Sequence, residues 1–120
     1  MDSEFMEYFA KNLQLNGILV VRFEFEWMIK RRKQKEGPYA TPKQKRMLKR
    51  YKEMLDKVDK SYPIFIGGNG MGARIGTAIA AETKHKIAGI VAIGYPFTKA
   101  GKIMTINELF GSIKVPFLII

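Results

Sequence analysis

The stretch "IFIGGNGMGARIG" (64–76) is where this chain could do chemistry. An apolar run passes through glycines directly into a helical pattern. Two chemistries use such a junction. In the first, Gly68-x-Gly70-x-x-Ala73 satisfies G-x-G-x-x-G/A, and backbone would close on a pyrophosphate at the helix N-terminus. In the second, "GNGMG" (68–72) satisfies the flanks of G-x-S-x-G, a sharp turn that lifts a serine above a sheet. Small residues at Gly68 and Gly72 suit that turn, Asn69 completes the flank, and Gly70 stands where the serine would be. The N–H of Met71, next in sequence, is then the oxyanion donor.

The phosphate reading lacks its partner. It needs an acid about 20 residues on, at the end of the next strand, to hold the ribose hydroxyls. The next strand ends "VAIGYPF", and no Asp or Glu occurs between Glu82 and Glu108. The dinucleotide reading is therefore the weaker one, and no cofactor is expected.

The elements around the junction alternate. Residues 3–16 read as a helix, with Phe5, Phe9 and Leu13 on one stripe, Ser3 or Asp2 as cap and Asn16-Gly17 as stop. "ILVVRF" (18–23) reads as a buried strand, and "EFEWMIKRRKQKEGPYATP" as a polar connection. Thr41, Pro42 and Gln44 would open a second helix reaching Lys60, with Met47, Tyr51, Met54 and Val58 as its stripe. Strands follow at 63–67, 87–94 and 115–120. A helix runs on from the glycine turn, a loop spans "YPFTKAGKIM", and a short helix, "TINELFGSI", is capped by Thr105. The order αβαβαβαβ predicts an α/β fold: a three-layer parallel sheet with helices on both faces, as one partial domain over 1–120.

Composition narrows the partners. Apolar residues are 47% of the chain, enough for a core, and cysteine is absent, so disulfides and thiolate metal sites are excluded. One histidine, His85, excludes a multi-histidine metal site. No apolar stretch approaches the ~20 residues that span a bilayer, and the N-terminus carries no signal pattern, so a cytoplasmic location is expected. The net charge is +10, and residues 30–60 hold 13 Lys or Arg against four acids. That block reads first as a solvated helix face. The alternative is a non-catalytic interaction module that uses this segment to bind an acidic partner or nucleic acid. Nucleic acid is the less expected of the two, because no recognition motif accompanies the charge.

Three ordered blocks carry a resemblance. "VVRFEFEWM", "GGNGMGAR" and "GYPFTKAGK" together resemble the small α/β-hydrolase-like family that includes testis-expressed protein thirty, the third subunit of the nonspecific-lethal acetyltransferase complex and many bacterial single-domain hydrolases. The family's first block, V-x-R-F-E-F-x-Y-M, is matched at Val21, Arg22, Phe23, Glu24, Phe25 and Met28, with Trp27 for the tyrosine. Its elbow, G-G-x-S-M-G-G-R, is matched at Gly67, Gly68, Met71, Gly72 and Arg74. Ala73 is a mild change, and Gly70 replaces the serine. The third block is matched at Gly94, Tyr95, Pro96, Phe97, Gly101 and Lys102.

The resemblance implies serine-dependent ester or acyl hydrolysis in intact relatives, on a small molecule this sequence does not identify. It also implies an upstream G-x-G-A-G loop and a downstream acid and histidine, none of which occurs within these 120 residues. The expectation is a truncated, catalytically inactive relative. Its sheet is incomplete beside the elbow strand, so a partner chain or self-association could fill the gap. Arg22, Glu24, Arg74, Tyr95 and Pro96 are the family-block residues expected near the site, with Glu24 paired to Arg22 or Arg74. His85 and the hydroxyls of Ser61, Thr77 and Ser112 are expected away from the elbow.

Overall fold

A computed structural model describes residues 4–34, 36–38, 43–99, 102–103 and 110–120; of the side chains in 98–103 nothing is described. The chain divides into two compact units, 1–42 and 43–120.

The first unit holds two helices. α1 spans Glu4–Leu15, with Glu4 and Glu7 in its first turn, where the helix dipole favours acids. It stops as expected at Asn16-Gly17. Gly17 has φ +80°, and the N–H groups of Gly17 and Ile18 donate to the Gln14 and Leu13 carbonyls at 3.0 Å each. That is the paired bonding of a Schellman stop, which a glycine at positive φ makes cheap.

The expected strand over 18–23 does not form. Residues 18–25 are irregular, with Leu19 81% exposed. β-branched composition favours a strand only when a neighbour completes its ladder. Neither of the described sheets includes residues 18–25. The polar connection that follows is in fact a helix, α2, Glu26–Lys33. Its apolar residues, Trp27, Met28 and Ile29, are consecutive and so spread around the helix, and no apolar stripe announces it. Glu26 stands at its start, Lys30, Arg31, Arg32 and Lys33 fill its last turn, and Glu26 pairs with Lys30 one turn on.

The second unit holds the sheet. α3 spans Gln44–Lys57 and buries Met47, Tyr51 and Leu55. Lys43 is its N-cap, without a side-chain cap bond, so the helix starts later than expected. The proposed caps Thr41, Pro42, Ser3, Asp2 and Thr105 lie outside the described residues, as does most of the 105–113 helix. β1 (Phe65–Asn69), α4 (Met71–Glu82) and β2 (Gly89–Ile93) follow, and β5 (Phe117–Ile119) comes after a two-residue hairpin, β3 (Thr98–Lys99) with β4 (Lys102–Ile103). The hairpin occupies the segment expected to be a loop.

The sheet order is β1-β2-β5, all parallel, with Phe65 opposite Gly89 and Ile90 opposite Phe117. This is the expected α/β class. α4 lies on the sheet and packs against α3. Its Ile75 and Ile79 are the largest side chains fully removed from solvent, and Ile66, Ile90 and Ala92 form the sheet's share of the core. Register places Ile66, Ile90 and Phe117 on that face. Phe65 and Leu118 alternate to the other face and are 62% and 56% exposed.

Candidate functional site

The carboxyl ends of the three strands are tied together. Gly70 N–H donates to the Ile93 carbonyl at 2.8 Å, and Gly94 N–H donates to the Ile120 carbonyl at 2.9 Å. The glycine turn therefore stands at the edge where open α/β sheets present their ligands.

Gly70 itself has φ 58° and ψ −120°. Side-chain-bearing residues rarely adopt that backbone, and holding one there costs about 1–3 kcal/mol. The strand enters the turn at Asn69 and the helix leaves it at Met71, with nothing between them but this residue. A Cβ added at Gly70 would meet no atom within 4 Å. The turn is sharp and strained, and it aims position 70 into open space.

The two flanking glycines differ. A Cβ at Gly68 would stand 2.3 Å from the Gly72 carbonyl carbon and 2.5 Å from the Ala73 nitrogen. One at Gly72 would meet nothing within 4 Å. So the close approach of strand to helix depends on Gly68, and the expectation that both flanks must be small for steric reasons holds here for one of them. Gly70 carbonyl accepts from Ala73 at 3.1 Å and from Arg74 at 3.3 Å. The first-turn N–H groups of Met71 and Gly72 have no backbone acceptor among the described residues. They are available to an incoming carbonyl or oxyanion.

Arg74, Tyr95 and Pro96 come together beside the turn. Arg74 Nη2 donates to the Pro96 carbonyl at 2.8 Å, and the guanidinium meets the Tyr95 hydroxyl. Burial pushes the Tyr95 phenol above its ordinary range, with Arg74 opposing the shift. The Tyr95 ring sits edge-on to Phe110 at 5.2 Å, over a cluster with Ala73, Ala92 and Phe117.

The other family-block residues, Arg22 and Glu24, belong to the first unit. Glu24 pairs with Arg32 of α2, a partner the sequence reading did not anticipate, and this pairing lowers its pKa. The alternative reagents lie elsewhere. His85 Nε2 is 2.9 Å from Asp56 Oδ1, in the segment before β2 and hence at the opposite end of the strands from Gly70. Ser61 hydroxyl donates to Asp59, ahead of β1, and Thr77 hydroxyl donates to the Ala73 carbonyl inside α4. Ser112 is exposed in the turn after Phe110. Among the described residues no group of three His, Asp or Glu could hold a metal, and no helix is long and apolar enough to cross a membrane.

One pair escaped the sequence reading. Tyr51 hydroxyl donates to the Gly67 carbonyl at 2.7 Å, and Gly76 of α4 leaves room for it, since a Cβ there would lie 3.0 Å from the phenol oxygen. A glycine inside an otherwise helical run was the available signal.

A parallel sheet whose first strand turns through Gly68 and a strained Gly70 directly into a helix defines the class, an α/β protein. Comparison with protein families agrees: an alpha/beta hydrolase domain matches residues 1–120, and the chain belongs to that family. Neither the curated proteins nor the solved structures compared gave a match.

Replacing Gly70 with serine or alanine is expected to cost about 1–3 kcal/mol through φ alone, because the space is open. Urea unfolding of both variants checks this. An alanine variant as stable as the parent would mean that the turn is relaxed in solution.

Proposed function

We propose that this α/β-hydrolase-family chain has no serine-hydrolase activity of its own and that Gly70 marks the vacated nucleophile position. The observation that carries the reading is the backbone of Gly70. Its strained geometry is the one a lifted nucleophile needs, and the residue held there has no side chain. Catalysis at such a turn requires an attacking oxygen and a base within hydrogen-bond reach. The described Ser and Thr hydroxyls are inside or at the end of α4, ahead of β1 or in an exposed turn, and His85 is engaged at the far end of the strands. The Met71 and Gly72 N–H groups remain as a carbonyl-binding feature, which supports ligand binding without turnover. The narrower affiliation, to the relatives of testis-expressed protein thirty and the third nonspecific-lethal complex subunit, rests on the three sequence blocks. A p-nitrophenyl ester is expected to give no burst and no enzyme-dependent rate above buffer. A burst stoichiometric with protein would refute the proposal.

A second reading has one observation in its favour. Lys43, Lys45, Arg46 and Lys49, at the start of α3, are exposed and have no acidic partner among the described residues. If this face binds an acidic protein segment, affinity for a polyglutamate peptide falls steeply with salt, and charge reversal at Lys45 and Lys49 weakens it at least tenfold. Salt-independent or undetectable binding at low ionic strength would eliminate this reading.

A further inference from the structure

The outer edge of β1 is one of the two edges, β5 being the other, at which the described sheet offers backbone groups to another strand. Alternation along the strand fixes which groups those are. Ile64 carbonyl accepts from Ala88, and Gly70 N–H donates to Ile93, so the even-numbered residues turn their backbone toward β2. Phe65, Gly67 and Asn69 therefore turn theirs outward. Of these outward groups, only the Gly67 carbonyl has a hydrogen-bond partner among the described residues, and that partner is Tyr51.

Three elements cooperate to place the phenol. Tyr51 is on the buried side of α3 and is 7% exposed. Gly76 in α4 supplies the space, and Ile66 flanks it, its Cγ2 only 2.9 Å from where a Gly76 Cβ would stand. The hydroxyl ends at hydrogen-bond distance from the central outward carbonyl of a five-residue strand. An added strand bonds through alternate residues, so it would have to place its own N–H where the phenol oxygen now is.

We propose that Tyr51 is an edge plug: it keeps β1 from pairing with β1 of a second copy of this chain. The edge is self-complementary. Two copies related by a two-fold axis near Gly67 would pair antiparallel, Phe65 opposite Asn69, which is the isologous arrangement symmetric dimers use. With the central carbonyl occupied, the free positions on either side are single residues, too short a template for a ladder. The plug acts on the same strand that carries the glycine turn, but it does not depend on what Gly70 does.

Two variants remove the plug by independent routes. Tyr51→Phe deletes the donor and keeps the ring. Gly76→Ala keeps the phenol and pushes its oxygen off Gly67. By sedimentation velocity, each is expected to self-associate at least tenfold more tightly than the unaltered chain. Adding Phe65→Pro, which removes an outward N–H without touching the bonds to β2, is expected to abolish the gain. Unchanged association in either folded variant overturns the proposal, as does association that survives Phe65→Pro. Should a variant not fold, amide exchange on the unaltered chain decides. Phe65, Gly67 and Asn69 N–H groups are expected to exchange much faster than the Ile66 and Ile90 N–H groups, and protection of all three would mean that the edge is already paired.

Discussion

Alanine at position 68 is expected to remove on the order of 3 kcal/mol or more of stability. The reason is geometric. The added methyl carbon would stand 2.3 Å from the Gly72 carbonyl carbon, 2.5 Å from the Gly72 oxygen and 2.5 Å from the Ala73 nitrogen. All three atoms are backbone, so no rotamer change relieves the overlap, and β1 and α4 must separate. That separation breaks the contact on which the second unit is built, because α4 lies directly on β1 and β2. A domain of this size has about 5–15 kcal/mol in total, so the loss is a large share of it. Gly72→Ala is the control, with free space around its Cβ, and should stay within about 0.5 kcal/mol of the parent. Urea midpoints of the two variants separate them. Equal midpoints would show that strand and helix are not in close contact at the turn.

Ile79→Ala is the second large effect, at about 2–5 kcal/mol. Ile79 is fully buried in α4, one turn beyond Ile75, and alanine leaves an unfilled space under the helix. The spread reflects how far the surroundings can collapse. The parallel sheet gives them little freedom, since both Ile66 and Ile90 are fixed by the β1–β2 register. Leu118→Ala on the other face, where the side chain is 56% exposed, should cost well under half as much. Similar losses at the two positions would place the core on the wrong face of the sheet.

The sequence made the second unit legible for specific reasons. The apolar run into Gly68 marked the β1–α4 junction, and the turn lies where "GNGMG" put it. Strand positions drifted by about two residues, because the short apolar runs at 63–67 and 115–120 do not mark where pairing begins; β1 and β5 start at Phe65 and Phe117. The first unit was harder. Residues 18–23 have the composition of a strand, but a strand exists only as half of a pair, and composition does not say whether the other half is present. α2 was hidden for the opposite reason, since charges that match the helix dipole leave no apolar period to count.

The site divided in the same way. Arg22, Glu24, Arg74, Tyr95 and Pro96 were expected near the glycine turn; the Arg74 guanidinium joins Pro96 and Tyr95, and their mutual contact was not foreseen. Glu24 was read as a partner of Arg22 or Arg74, and its ion pair with Arg32 depends on a helix the sequence concealed. Tyr51 was taken only for a stripe residue. Its hydroxyl role needs the position of Gly67 on an outward-facing edge, which follows from register and not from spacing.

Position 70 is where the absence of a nucleophile is most directly measured. A fluorophosphonate probe reports an activated serine directly, and intact mass counts the labels per chain. The parent chain is expected to gain no probe mass under conditions that label a competent serine hydrolase to one equivalent. One equivalent of label on the folded parent, located to any hydroxyl, would contradict the claim that the elbow at Gly70 has no working nucleophile.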